Sequence, residues 1–280
     1  MKMHYIGKDI VSFRDEGSGD PIFFLHSSAS NSGQWKGVFA QMRGEYRVIA
    51  PDLFGYGDTS AWTQANPMTL RDEVRNIVTL IRSVGRSVHL VGHSYGGAVA
   101  LHLAKYWPGL LTSLTLIEPA AFNVLAAGDH EERTSLDEVR SLSADVGRAV
   151  SEGRSRDAAC RFVDYWNGDG HFSKMTMTHQ NAIMNTMSKV ASDFEALWRE
   201  PAFLPNNLSI NLPSLVIAGT RSPRPARQVS RILAENMINC RHRTITNAGH
   251  MSPLTHVDVV VRHLIGHIGS HTSKANLLVA

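Results

Sequence analysis

Two residues stand out for the chemistry that their settings allow. Ser94 is the centre of Gly92-His93-Ser94-Tyr95-Gly96, a G-x-S-x-G pattern that follows the apolar run Val88–Val91 and leads into Gly97, Ala98 and Ala100. Such a sequence describes a sharp strand-to-helix turn that lifts the serine out of a sheet. Glycines are needed on both sides because Cβ atoms would collide at so tight a bend. The helix start then places free N–H groups and a positive dipole end beside developing negative charge. Ser94 is therefore the expected nucleophile of an acyl transfer. The chain has 14 histidines, so residue type alone selects none of them. His250 is distinguished by position. It follows a terminal strand and the turn Asn247-Ala248-Gly249, and precedes the last amphipathic stretch, which puts it on the same loop edge as Ser94. An imidazole with an ordinary pKa of about 6.5 takes and returns a proton near neutrality. His250 is the expected general base.

The elements that must position these groups are legible as a rhythm. Residues 2–15 suit a hairpin around Gly7-Lys8-Asp9. Short apolar runs then occur at Ile22–Leu25, Tyr46–Ala50, Val88–Val91, Leu114–Ile117, Leu215–Ala218 and Arg243–Thr246, as expected of parallel strands covered on both faces. Helical periodicity separates them: Leu70, Val74, Ile77, Val78 and Ile81, with Thr69 as N-cap, then Val229, Ile232 and Leu233, and finally Val257, Val260, Val261, Leu264 and Ile265. Strands alternating with helices indicate a doubly wound sheet. Between about residues 121 and 205 the strands stop, and helices are expected at Ser135–Glu152, Arg156–Trp166 and Met175–Trp198. The last residues, Ser270 to Ala280, read as a loosely held tail.

Composition narrows the class. The 280 residues suffice for one large α/β domain with an insertion, and 43% hydrophobic with 19% charged residues is ordinary for a globular protein. The net charge of +3 is mild and its cations are scattered. Arg221, Arg224, Arg227 and Arg231 recur at helical spacing and read as a solvated helix face. Cys160 and Cys240 form no CxxC, which speaks against a disulfide framework or a structural zinc. No run of 18 apolar residues suits a membrane span and no leader is evident, so a cytoplasmic protein is expected. The expected partner is a small-molecule substrate, without nucleic acid or membrane, and the chain is expected to be a monomer or homodimer.

The chain resembles the α/β-hydrolase family over nearly its whole length. The residues that carry the likeness are Leu25-His26, Pro51-Asp52-Leu53-Phe54-Gly55-Tyr56-Gly57, the Ser94 elbow and Asn247-Ala248-Gly249-His250. The resemblance implies an α/β-hydrolase fold: a mostly parallel, eight-stranded, doubly wound sheet formed by residues 1–120 and 206–280, with a helical cap inserted at 121–205. It also implies an oxyanion hole made by the main-chain N–H of Tyr95 and one from His26-Ser27-Ser28-Ala29, with Ser28 the choice, where many relatives begin the loop His-Gly. The alternative use of Ser27, Ser28 and Ser30 is to cap the helix that begins near Ser32. Trp35 is expected to pack behind this loop.

The acid is where the chain departs from its relatives, which usually carry it after the penultimate strand as Gly-x-x-Asp. Here that stretch reads Gly219-Thr220-Arg221-Ser222, with no Asp or Glu before Glu235. A hydroxyl cannot stabilise an imidazolium as a carboxylate does. Glu118, directly after Leu114–Ile117, is the replacement, since some branches of the family take their acid from that strand end. Its alternatives are a hydrogen bond to loop backbone or an arginine pair. Asp52 and Asp58 read as turn-makers.

With Ser94, Glu118 and His250 the expected reaction is a two-step acyl transfer without metal or organic cofactor. The serine argues against dehalogenase and epoxide hydrolase relatives, which use an aspartate. A hydrolase of small or medium apolar esters, lactones or thioesters is expected: Phe162, Trp166, Phe172, Met175, Met177, Met184, Met187, Phe194 and Trp198 crowd the insertion, and while much of this set reads as ordinary helix core, the underside would line the pocket. Carbon–carbon bond hydrolases and cofactor-free perhydrolases share this triad, and a non-catalytic binding protein of the same fold is the remaining alternative.

Overall fold

The computed structural model describes residues 1–201 and 209–271. Its centre is an eight-stranded sheet in the order β1-β2-β4-β3-β5-β6-β7-β8. The strands are β1 (Lys2–Ile6), β2 (Asp9–Glu16), β3 (Asp20–Leu25), β4 (Tyr46–Pro51), β5 (Val88–His93), β6 (Leu111–Ile117), β7 (Ser214–Gly219) and β8 (Cys240–Ile245). β1 and β2 pair antiparallel, as does β2 with β4, and every other pairing is parallel. The expected α/β-hydrolase fold is what the chain adopts.

Burial follows the pleat. Phe23 and Leu25 on β3 join the core under α2 (Leu70–Ser83), α3 (Tyr95–Tyr106) and α9 (Arg224–Asn236). Ile22 and Phe24 point the other way, into a second core under α1 (Lys36–Met42) and α10 (Val257–Ile268). Successive strand residues alternate between faces, so a continuous apolar run feeds both cores at once. Trp35 belongs to the second core, 5.1 Å from Phe24 between ring centres.

Between β6 and β7 the chain turns helical: α4 (His130–Ser151), α5 (Ser155–Asn167), α6 (His171–Lys174), α7 (Met177–Met184) and α8 (Met187–Trp198). Two expectations are corrected here. α4 begins five residues earlier than Ser135, because Asp129 and Glu132 form a reciprocal capping box. The stretch Met175–Trp198 is two helices and not one, broken at Asn185 and Thr186. The boundary expected near 205 and all of the expected tail beyond His271 lie outside the described residues. Among the described residues no helix is long and apolar enough to cross a membrane.

Candidate active site

Parallel strands deliver their carboxyl ends to one edge of the sheet, and the sequence's candidates all lie in loops at that edge. Ser94 directly follows β5, Glu118 directly follows β6, and β8 leads through a turn to His250. Among the described residues four non-glycine positions have positive φ: Ala29 (56°), Ser94 (54°), Glu118 (44°) and Asn247 (63°). Each follows a different strand of this edge. Unfavourable backbone conformations of this kind gather where surrounding structure must hold a side chain in a set direction.

The elbow is built by close approach of backbone. A Cβ on Gly96 would lie 2.4 Å from the carbonyl oxygens of Leu25 and His26, and one on Gly92 would lie 2.3 Å from Gly96 O. The Ser94 N–H donates to Ile117 O at 3.0 Å, and Ser94 O accepts from Ala98 N at 3.0 Å and Ala120 N at 2.9 Å. The serine is thus pinned to the ends of both β5 and β6.

Glu118 is fully partnered. Its Oε2 lies 2.6 Å from His250 Nδ1, while Oε1 accepts from Gly219 N at 2.6 Å and from Ser222 Oγ at 2.5 Å. Among the described residues no arginine pairs with it, and the alternative of a hydrogen bond to backbone, from Gly219 N, is present beside the contact with His250. Because a carboxylate oxygen only accepts, His250 carries its proton on Nδ1 and leaves the Nε2 lone pair for a substrate-side proton. Ser222 serves as a hydrogen-bond donor to Glu118.

A second chain of hydrogen bonds, absent from the sequence reading, ties three loops together. His93 Nε2 lies 2.9 Å from the His250 carbonyl and its Nδ1 lies 3.1 Å from Gln34 Nε2. Gln34 Oε1 in turn accepts from Ser27 N at 3.1 Å and Ser27 Oγ at 2.9 Å. One neutral tautomer satisfies every link, with His93 donating from Nε2 and accepting at Nδ1. Burial, reinforced by the neighbouring His250, holds the His93 pKa well below its usual value, in keeping with that neutral form. His26 is also held neutral by burial, its Nε2 accepting from Leu53 N at 3.0 Å while Nδ1 faces Ser27 O at 2.8 Å.

The main-chain N–H groups of Ser28 and Tyr95 have no partner among the described residues. They remain available to a ligand, as donors of an oxyanion hole must be. The helix-capping alternative for the serines is not what the structure has. Asn31 caps the short 3-10 turn Ser32–Trp35 by accepting from Gly33 N, and Asp52 Oδ1 accepts from Ser32 N at 2.6 Å. Asp52 is therefore a loop-builder, as expected.

Behind these two donors sits a buried charged cluster. Ser28 Oγ donates to Asp193 Oδ2 at 2.5 Å, and Tyr56 Oη donates to the same oxygen at 2.6 Å. Tyr95 Oη donates to Glu73 Oε2 at 3.0 Å. Lys189 bridges the two carboxylates, 3.1 Å from Glu73 Oε2 and in contact with Asp193 Oδ1, with its ammonium 5.0 Å and 4.9 Å from the ring centres of Tyr56 and Tyr95. Burial opposes charge on Lys189, but Asp193 and Glu73 outweigh it and its pKa is raised. Glu73 is pushed upward chiefly by burial. Nothing in the local sequence marks Lys189 and Asp193, which read as an ordinary i,i+4 surface pair. Glu73 left a faint signal, a carboxylate within the apolar stripe of α2.

Two cavities are lined by these residues. A chamber of about 20 Å3 is bounded by Ser28, Ser94 and Tyr95 below and by Phe122, Phe162 and Phe194 above. A cleft of about 1020 Å3 contains His250. Trp166 of α5 borders both, its indole stacked on the His250 imidazole at 4.4 Å and 28°. Of the aromatic and methionine side chains of the insertion, Phe162, Trp166 and Phe194 line the small cavity. Met187 is buried helix core and Met177 faces outward, 61% exposed.

A sequence model of the alpha/beta hydrolase family matches residues 22–263. Over 100 residues the chain is 43% identical to the lipase LipV of Mycobacterium tuberculosis, covering 35% of this chain and 37% of that protein. Over 111 residues it is 32% identical to a haloalkane dehalogenase of Agrobacterium fabrum, covering 39% and 36%. The chain thus spans only about a third of the length of the curated relatives it matches, 31% for an uncharacterised protein of the same Mycobacterium species. In structure it is similar to the enol-lactonase of Burkholderia xenovorans, with a TM-score of 0.77 at 17% identity over 96% of this chain and 100% of that one, a likeness of fold alone.

Proposed function

From the premise that the chain belongs to the alpha/beta hydrolase family, we propose that it is a serine hydrolase that cleaves carboxylic esters, lactones or thioesters through an acyl-enzyme on Ser94. The observation that carries this reading is the 2.6 Å contact between His250 Nδ1 and Glu118 Oε2, at the same sheet edge as a serine held at φ 54°. Ser94 Oγ attacks the carbonyl carbon and its proton passes to His250 Nε2. The carbonyl oxygen becomes an oxyanion held by the N–H groups of Tyr95 and Ser28. The Glu118 carboxylate stabilises the imidazolium, which protonates the departing oxygen or sulfur as its bond to carbon breaks. Water then gives a proton to His250 and attacks the acyl carbon. Ser94 recovers its proton as the acid leaves.

Burial supports this assignment: Ser94 is 9% exposed, His250 4% and Glu118 1%, so their mutual electrostatics operate away from bulk water. The helical insertion acts as a cap over the serine.

A fluorophosphonate probe tests the reading directly. The native protein is expected to label at Ser94, and Ser94→Ala is expected neither to label nor to hydrolyse 4-nitrophenyl acetate above roughly 10^-3 of the native rate. A native protein that stays unlabelled and behaves as Ser94→Ala does would overturn it and favour a binding role.

A further inference from the structure

Resting on that reading, we infer that Trp166 divides the site into an acyl chamber and an alcohol cleft, and that the substrates are esters joining a short apolar acid to a larger, hydroxyl-bearing polar alcohol. The division follows from where the proton must go. The oxyanion and the acyl chain stay on the carbon bonded to Ser94, beside the N–H groups of Ser28 and Tyr95. The leaving oxygen takes its proton from His250 Nε2 and departs on the imidazole side. Ser94 and both donors border the small cavity, whereas His250 borders the large one. The acyl group therefore occupies the first and the alcohol the second.

The chamber sets the acid. Its volume of about 20 Å3 leaves room for a small group only. Phe122, Phe162, Phe194 and Leu197 make its walls apolar. Of the polar side chains there, Asp193 has both oxygens engaged by Ser28, Tyr56 and Lys189, and the Tyr95 hydroxyl donates to Glu73. A longer acyl chain has to displace Trp166 or the phenylalanines, and tightly packed walls resist added methylenes. Phe122 stacks against Trp166 at 6.1 Å and 19°, which fixes the indole from behind.

The cleft sets the alcohol. About 1020 Å3 admits a sugar- or polyol-sized group, and Arg161, His171, Arg221 and His256 offer hydrogen-bonding side chains along it. The Arg221 side chain makes no hydrogen bond or ion pair among the described residues, so it can bond a hydroxyl of the alcohol without giving up an internal contact, while His171 faces the carboxylate of Asp164. A purely apolar alcohol would bury against these groups with nothing to offer them.

The test is a matrix of esters measured as kcat/KM. Among 4-nitrophenyl esters the native protein is expected to prefer acetate to hexanoate by about 100-fold or more. With the acetyl group fixed, glycerol monoacetate is expected to exceed hexyl acetate at least about tenfold. Trp166→Ala and, separately, Phe162→Ala are expected to raise the hexanoate-to-acetate ratio at least about tenfold, a ratio that partial loss of folded protein does not move. Hexanoate turned over as well as acetate by the native protein, hexyl acetate preferred to glycerol monoacetate, or an unmoved ratio in both variants would each overturn the inference. If Ser94 labels with fluorophosphonate but these preferences are reversed, the division alone is wrong. If Ser94 stays unlabelled and no ester is cleaved, the hydrolase reading fails with it.

Discussion

The Ser222 hydroxyl donates to Glu118 Oε1 at 2.5 Å, on the far side of the carboxylate from the oxygen that meets His250. Together with Gly219 N it holds one carboxylate oxygen so that the other faces the imidazole. A residue from the end of β7 thus orients an acid from the end of β6.

This relationship separates two variants. Glu118→Gln keeps the size and most hydrogen bonds of the acid but removes the charge that stabilises the imidazolium, and kcat is expected to fall roughly 10^3- to 10^4-fold. Ser222→Ala leaves charge and the Gly219 contact in place, and kcat is expected to fall only about tenfold, the worth of one hydrogen bond to a charged group. Steady-state kinetics on 4-nitrophenyl acetate with folding checked by circular dichroism decides it. Near-native turnover in Glu118→Gln would remove Glu118 from the triad.

The buried cluster behind the oxyanion donors gives a second prediction. Both donor residues are tethered by their side chains, Ser28 to Asp193 and Tyr95 to Glu73, and Lys189 joins the two carboxylates. Ser28→Ala keeps the main-chain N–H but frees the loop that carries it. Its kcat is expected to drop about tenfold with KM within about twofold, because the donor matters most when the oxyanion forms. Lys189→Met strands two buried carboxylates and is expected to cost about 3–5 kcal/mol of stability, measured by urea unfolding. A Ser28→Ala enzyme with native kcat would show the tether to be structural only.

How far the sequence reveals the site depends on how far apart its parts lie in the chain. Ser94 and His250 announce themselves within a few residues, because an elbow and a glycine turn have local composition, whereas Glu118 is reached through the resemblance, once Ser222 stands where relatives carry the acid. Asp193 and Lys189 have no such signature. They reach Ser28 and Glu73 across 165 and 116 residues only after α8 docks on the core. Gln34 and His93 are similar, since the hydrogen bond joining them spans 59 residues. The element errors are physical too. β8 starts at Cys240, yet its exposed edge sequence Arg241-His242-Arg243 has no apolar run to show it. The break between α7 and α8 has no glycine or proline to mark it.

Buried histidines make the fold sensitive to acid. His89, bonded through Nδ1 to Ser113 Oγ at 2.7 Å, is pushed down to about 4, chiefly by burial, and His93 and His26 are lowered for the same reason. In each case the folded pKa lies below the unfolded value of about 6.5. Between those values the unfolded chain binds the additional proton, so stability is complete above about pH 6.5 and declines as pH falls toward 4. Urea midpoints measured from pH 7.5 to 5 are expected to decrease steadily. His89→Gln, which can retain the bond to Ser113, is expected to flatten that dependence by up to about 1.4 kcal/mol per pH unit. An unchanged slope in this variant would show that His89 is free to protonate in the folded state.

Two glycines at the same sheet edge are expected to respond oppositely to a single methyl group. On Gly96 a Cβ would stand 2.4 Å from the Leu25 and His26 carbonyl oxygens, and the Gly96 N–H donates to that same His26 oxygen at 3.1 Å. Gly96→Ala must push the Ser28 loop away from Tyr95 and so part the two oxyanion donors. Its kcat is expected to fall at least about 10^2-fold, the loss seen when one such donor is removed, along with about 1–3 kcal/mol of stability. Gly249 precedes the base itself, yet a Cβ there meets nothing within 4 Å and its φ is not positive. Gly249→Ala is expected to keep kcat within about threefold of native, as an unstrained exchange in open space stiffens only the unfolded chain. If Gly96→Ala retains full activity while Gly249→Ala loses it, the contact between elbow and loop does not set the distance between the donors.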